Sequence, residues 1–144
     1  MASGLYGVTF LNALKNDLAL DLDDTTADRF KVMLVTSAYT PDFGAHDFKA
    51  DVTNEVAGTG YSAGGESLTS VTLTQTGGTI TFDAADVTWT SSTITARAAV
   101  IYDDSLASDP LIAYIDFGAD KSSSNGDFVI TWDASGIFSL DLTP

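Results

Sequence analysis

Apolar residues follow two different spacings along this chain. Near the start, Phe10, Leu11, Leu14 and Leu18 recur at steps of one, three and four, which places them on one stripe of a helix. Thr9 stands ahead of the stripe and has the side chain of a helix cap. The stripe runs into Asp17-Leu18-Ala19-Leu20-Asp21-Leu22-Asp23-Asp24, so a short helix followed by an acidic loop is expected. Such a helix either covers the chain's own core or docks on a neighbouring subunit.

Beyond residue 28 the helix formers thin out and β-branched residues come in short runs. Strands are predicted over residues 29–37 (RFKVMLVTS), 67–75 (SLTSVTLTQ), 79–83 (TITFD), 87–90 (VTWT), 94–102 (ITARAAVIY), 111–117 (LIAYIDF), 128–132 (FVITW) and 137–142 (IFSLDL). Thr76-Gly77-Gly78 and Asn125-Gly126 read as hairpin steps. In the run 94–102, strict alternation puts Ile94, Ala96, Ala98, Val100 and Tyr102 on one face and Arg97 on the other. Residues 39–65 form a long polar, glycine-containing connection, and a loop of that length in a compact domain has a function or structure of its own. Short strands punctuated by turn residues after a single helix predict an all-β protein. The expected architecture is an antiparallel β-sandwich or jelly-roll-like domain with a short N-terminal helix. Residues 1–28 read as an N-terminal arm carrying the helix, and residues 29–144 as a single β-sandwich domain. The strands at 94–102 and 111–117 are apolar on both faces. They are either central strands covered on both sides or strands whose outer face meets another subunit.

The 144 residues suffice for one self-sufficient core and are too few for two full domains. With 20 acidic and 6 basic residues the chain carries −14, which disfavours phosphate backbones and anionic membrane surfaces. No apolar run approaches a membrane span, and the N-terminus lacks the features of a secretory signal. There is no cysteine, hence no disulfide framework or thiolate chemistry.

Candidate chemistry is sparse. His46 is the sole histidine, lies in a polar segment without a nucleophile motif, and reads as an exposed loop residue. The 18 aspartates concentrate in turns, where Asp is the ordinary turn and cap residue. A glycosidase-type carboxylate pair is less expected than solvated turns. Calcium at Asp21-Leu22-Asp23-Asp24, Asp103-Asp104 or 120–127 is the strongest metal reading, but no EF-hand pattern is present and no metal site is assigned. The glycines at 58–65 lack the lysine and the following helix of a phosphate loop. Trp89, Trp132, Tyr39, Tyr61, Tyr102 and Tyr114 could form a sugar-stacking platform, yet their strand positions read as core. No catalytic residue, cofactor or small-molecule substrate is expected.

Residues 29–41 (RFKVMLVTSAYTP), 51–68 (DVTNEVAGTGYSAGGESL), 86–102 (DVTWTSSTITARAAVIY), 111–118 (LIAYIDFG) and 123–137 (SSNGDFVITWDASGI), in this order, resemble a family of small structural proteins of tailed bacteriophages, including cyanophages. The resemblance covers nearly the whole chain, including its start, Met1-Ala2-Ser3-Gly4-Leu5-Tyr6. It implies a virion structural protein, with capsid decoration, or cement, as the role. Such proteins sit on the outer capsid surface as trimers, so the implied partners are copies of the chain and the major capsid protein. It brings no catalytic residues. The alternatives are a tail, baseplate or head-tail connector component, or a carbohydrate-binding module for host attachment. Contacts are expected from the first 18 residues, through Leu5, Tyr6, Phe10, Leu11 and Leu14. Residues 39–65 are expected to add Tyr39, Phe43, Phe48 and Tyr61. Removing residues 1–7 is expected to weaken shell binding and leave the fold intact.

Overall fold

The alternation of side chains along one strand divides the domain into two cores. In a computed structural model of the chain, which describes residues 2–24 and 29–144, β2 (Phe30–Val35) sends Phe30, Val32 and Leu34 into one apolar cluster and Met33 and Val35 into another. Ahead of β2 lie β1 (Gly4–Leu5) and α1 (Gly7–Leu14). After it come β3 (Glu66–Ser67), β4 (Thr72–Thr76), β5 (Thr79–Asp83), β6 (Val87–Ser92), β7 (Thr95–Asp103), β8 (Leu111–Ser122), β9 (Gly126–Ile130) and β10 (Phe138–Asp141). The strands form a five-stranded sheet in the order β1-β8-β7-β2-β3, a three-stranded sheet β10-β5-β4 and a pair β6-β9, all antiparallel. The fold is therefore all-β and sandwich-like with a short N-terminal helix. The expected boundary between arm and domain falls on residues 25–28, which with Met1 lie outside the described residues.

The first core fills the space between the large sheet and the two smaller ones. Phe30, Leu34 and Ile101 of the large sheet meet Phe82, Trp89 and Phe128 of the others. The rings pack edge to face, Phe30 on Phe82 at 5.6 Å and Trp89 on Phe128 at 6.0 Å between centroids. The second core lies on the opposite face of the large sheet. There Met33, Val35, Val100, Tyr102 and Tyr114 are covered by Tyr6, Tyr39 and Phe43. The two-sided strands are thus central strands whose second face is roofed by this chain's own residues. The long connection 39–65 supplies much of that roof through Tyr39, Phe43 and Val52, while its Val56 and Tyr61 pack on the first core. It is tied down by backbone bonds from Leu111 to Asp47 (2.9 Å), Lys49 to Asp109 (2.9 Å) and Val56 to Leu34 (2.9 Å), and by the Tyr102 hydroxyl donating to the Gly64 carbonyl (2.7 Å). Gly65 closes it: with φ +77° and a would-be Cβ 1.9 Å from the Val32 carbonyl, no other residue fits.

Bulges and layer crossings account for the departures from simple alternation. Between Ala96 and Ala98 the β7–β8 register jumps from Lys121 to Asp116. As a result Ile94 and Ala96 join the first core while Ala98, Val100 and Tyr102 join the second, rather than all five sharing a face. A second shift places Ile112 as an extra residue between Leu111 and Ala113, and its carbonyl accepts the Tyr6 N–H (3.0 Å). The run 67–75 is not one strand. β3 ends at Ser67 in the large sheet, Leu68 and Val71 cross the first core, and β4 begins in the small sheet. Gly77 and Gly78 do make the expected two-residue hairpin between Thr76 and Thr79. Asn125, at φ 49°, turns as expected but joins β8, paired with β7, to β9, paired with β6, so the turn changes layer instead of closing a hairpin.

Residues 4–14 are built into the domain rather than forming a detachable arm. β1 extends the large sheet, and Tyr6 is fully buried with its hydroxyl 2.9 Å from that of Tyr39. Because Tyr6 fills the second core, removing residues 1–7 is expected to destabilise the fold rather than leave it intact. Replacing Tyr6 by Ala should cost about 3–5 kcal/mol in urea denaturation; a loss below about 1 kcal/mol would mean that the roof does not depend on it.

All five tyrosines, Tyr6, Tyr39, Tyr61, Tyr102 and Tyr114, have hydroxyls whose pKa is raised, in each case mainly by burial. A folded-state pKa above the unfolded value contributes stability that is present below about pH 10 and lost as the pH rises further. Tyrosinate absorbance at 295 nm should stay flat past pH 10 and then rise in one step with unfolding. Gradual titration in a still-folded protein would contradict the two-core packing.

Candidate functional site

Helix α1 is short because its end is chemically specified. Asn16 adopts φ 64°, its N–H donates to the Ala13 carbonyl (3.1 Å), and the Asp17 N–H donates to the Asn12 carbonyl (2.9 Å). This left-handed cap ends the helix and reverses the chain. Within the helix Thr9 is buried and does not cap, the capping position being taken by Tyr6. Phe10 points inward, edge-on to Phe138 at 6.1 Å. Leu11 and Leu14 point outward, 52% and 88% exposed. After the reversal Leu20 and Leu22 return to the first core as partly buried residues.

These elements wall a groove of about 740 Å³ whose floor is the three-stranded sheet. Register explains the floor. Leu73 pairs with Phe82, and Leu140 with Ile80, so the face that is core at Phe82 and Phe138 continues outward as Ile80 and Leu140. Leu142, 64% exposed, extends it past the end of β10, its N–H bonded to the Gly78 carbonyl (2.7 Å). Leu11, Leu14 and Leu142, with Val129 elsewhere, are the large apolar residues exposed among the described residues. The rim is acidic: Asp21 and Asp141 line the groove, and Asp17 and Asp23 are exposed beside it. The Thr143 hydroxyl and N–H both donate to the Asp141 carboxylate and hold its pKa below the usual range.

The nine residues expected to make contacts separate into two groups. Leu5, Phe10 and Leu14 line the groove, with Leu11 on the same helix. Tyr6 and Tyr39 are corrected to core residues, 0% and 4% exposed, because they roof the second core and bond each other. Phe43 is half-buried in the same roof, against Tyr6 and Tyr114. Phe48 is half-buried and bridges to Pro110 through its backbone. Tyr61 stacks on Trp89; its hydroxyl accepts from Leu34 N (2.9 Å) and donates to Glu55 (2.8 Å). Leu20, Leu22, Leu73, Ile80, Leu140 and Leu142 complete the groove and were not expected there. Their signal is the alternation Leu18-x-Leu20-x-Leu22 and Phe138-x-Leu140-x-Leu142 and, for Leu73 and Ile80, a place in a predicted strand, none of which says what covers them.

The polar groups weighed for chemistry are engaged in holding the fold. His46 is half-buried, not exposed, with Nδ1 3.0 Å from the Tyr39 hydroxyl and 3.2 Å from the Asp42 N–H that donates to it. Asp47 and Asp51 titrate apart. Burial, then the neighbouring Asp51, raises Asp47, whereas the N–H groups of Phe48 and Asp47, each 3.1 Å from Asp51 Oδ2, lower Asp51. That geometry is a turn cap within the roof. Asp21, Asp42, Asp103, Asp116, Asp133 and Asp141 each accept the N–H of the residue two positions on, which is the mechanics of a turn. Among the described residues no three His, Cys, Asp or Glu side chains converge to hold a metal ion. Trp89, Tyr39, Tyr102 and Tyr114 are buried, so their rings offer no stacking platform. Buried Asp103 forms an ion pair with Arg29 at 3.0 Å, and Arg29 also holds Asp24 at 2.9 Å.

Comparison with protein-family models, curated proteins and solved structures finds no match to this chain.

Asp116 sits where the β7–β8 register jumps, with Arg97 Nε 2.8 Å away, and this partner lowers its pKa to about 2. A depressed carboxyl contributes stability that is complete above its unfolded value, about 3.9, and lost as the pH falls toward 2. In Arg97→Leu the Asp116 carboxyl should titrate near the ordinary range in a carbon NMR pH series, and the stability lost between about pH 4 and 2 should shrink. An unmoved midpoint would show that Arg97 is not the cause.

Proposed function

We propose that this chain is a structural protein of tailed-bacteriophage virions that decorates and stabilises the outer surface of the capsid. In this reading it binds as trimers against the major capsid protein and acts by adhesion rather than by a reaction. The observation that carries the reading is the apolar groove beside α1, with Leu14 at 88% and Leu142 at 64% exposure, on a domain whose large sheet is covered on both faces from within. The charge of −14 supports an outward position, since packaged DNA repels acidic protein. The resemblance read from residues 29–41, 51–68, 86–102, 111–118 and 123–137 implies the same role. A protein that binds only the assembled shell stabilises it by mass action, and repeated contacts across neighbouring capsid subunits multiply the effect.

The test is the copy number and position of the chain in purified particles, by quantitative mass spectrometry and electron cryomicroscopy. Decoration predicts on the order of hundreds of copies on the outside of the head, in symmetric groups. A low copy number at the tail or neck would move it to a tail or connector role, and its absence from particles would overturn the reading.

A further inference from the structure

The groove is apolar on its floor and acidic at its rim, and this combination specifies an occupant. Its floor and walls present Leu5, Phe10, Leu14, Ile80 and Leu140, while Asp21 and Asp141 stand at the edge. A twofold dimer closed through the groove is a poor match. Self-pairing about a twofold axis would set the same acidic rim against itself, on protomers that each carry −14. An anionic lipid surface is excluded by the same repulsion. A basic-flanked apolar segment satisfies both parts, with leucine-type anchors for the floor and lysine or arginine for the rim.

We propose that this groove seats an apolar segment of another protein whose flanking residues are basic, resting on the reading of the chain as an adhesive virion component. The segment inserts its apolar side chains between α1 and the three-stranded sheet and places its cations against Asp21 and Asp141. Apolar burial supplies most of the affinity, and the charges set orientation and partner choice.

The test uses the full chain and a labelled amphipathic peptide of about 18 residues, leucine along one face and lysine at both ends. Saturable one-to-one binding is expected by fluorescence anisotropy, with amide NMR shifts confined to α1, residues 20–22 and the three-stranded sheet. Leu14→Asp and Leu142→Asp should each weaken it at least about tenfold. Both side chains are mostly exposed, so both variants keep the fold. Raising the salt from about 0.05 to 0.5 M should weaken binding, and a peptide with glutamate ends should not bind. Equal binding by wild type and Leu14→Asp, or by the glutamate-ended peptide, would overturn the assignment. So would wild-type self-association that Leu14→Asp abolishes, or a preference for phosphatidylcholine vesicles over the peptide. The two readings fail differently. Wild-type protein missing from particles defeats the capsid role whatever the peptide does. Leu14→Asp protein decorating particles at wild-type occupancy defeats the groove and leaves that role standing.

Discussion

From Ala98 to Asp103 every residue of β7 is buried, so neither face of this strand meets water. That constraint organises the rest of the molecule. One face is covered in the ordinary way of a sandwich, by a second layer of strands. The other has no sheet to cover it. It is covered instead by an irregular segment and by a residue from the very start of the chain. An irregular roof is costly in polar groups, because its own N–H and C=O groups need partners. The Glu55 carboxylate answers part of that need by accepting from the Tyr61 hydroxyl and the Gly64 N–H. The Asp51 carboxylate answers another part at the 3-10 turn Lys49–Asp51.

The same need explains the composition. Carboxylates recur because Asp repeatedly supplies the acceptor that closes a turn, at Asp42, Asp103 and Asp133 among others. Turns lie at the surface, so the charge accumulates there as a by-product of how the chain bends. With 6 basic residues in the whole chain, few of these carboxylates can pair with a cation. Arg29 serves two of them, and Arg97 serves one at a register shift. The acidic exterior and the turn-rich fold are one feature seen twice, and any partner meets both.

How much of this was legible in the sequence depended on how far each segment obeyed a single period. β2 and β5 appear where alternation and turn residues place them, and the Gly77-Gly78 hairpin follows from its chemistry. β7 misled because strict alternation cannot anticipate a bulge on its partner; three additional residues of β8 between Asp116 and Lys121 switch the faces. The run 67–75 misled because two strands of different sheets abut with only Leu68–Val71 between them, and those residues are apolar enough to read as strand. Tyr6 looked like an arm residue because its neighbours are small, while its true partners, Tyr39 and Ile112, are remote in sequence. The groove was half visible: the helix stripe flagged Phe10, Leu11 and Leu14, but the sheet that faces them could be placed only by the fold.

Why the groove stays open is a matter of lengths. The eight residues of α1 extend about 12 Å. The helix cannot lengthen, because Asn16 ends it in a left-handed cap that turns the chain back over Leu20 and Leu22. The large sheet cannot reach either, because its edge strand on this side, β1, is two residues long. The outer part of the three-stranded sheet therefore keeps an apolar face that no other element among the described residues buries. Leu14 and Leu142 at its margins are exposed for the same reason. In a single copy this is unburied surface with no compensating contact. Under the proposed adhesive role, covering it with a complementary segment turns this liability of the isolated domain into the contact that holds it in an assembly.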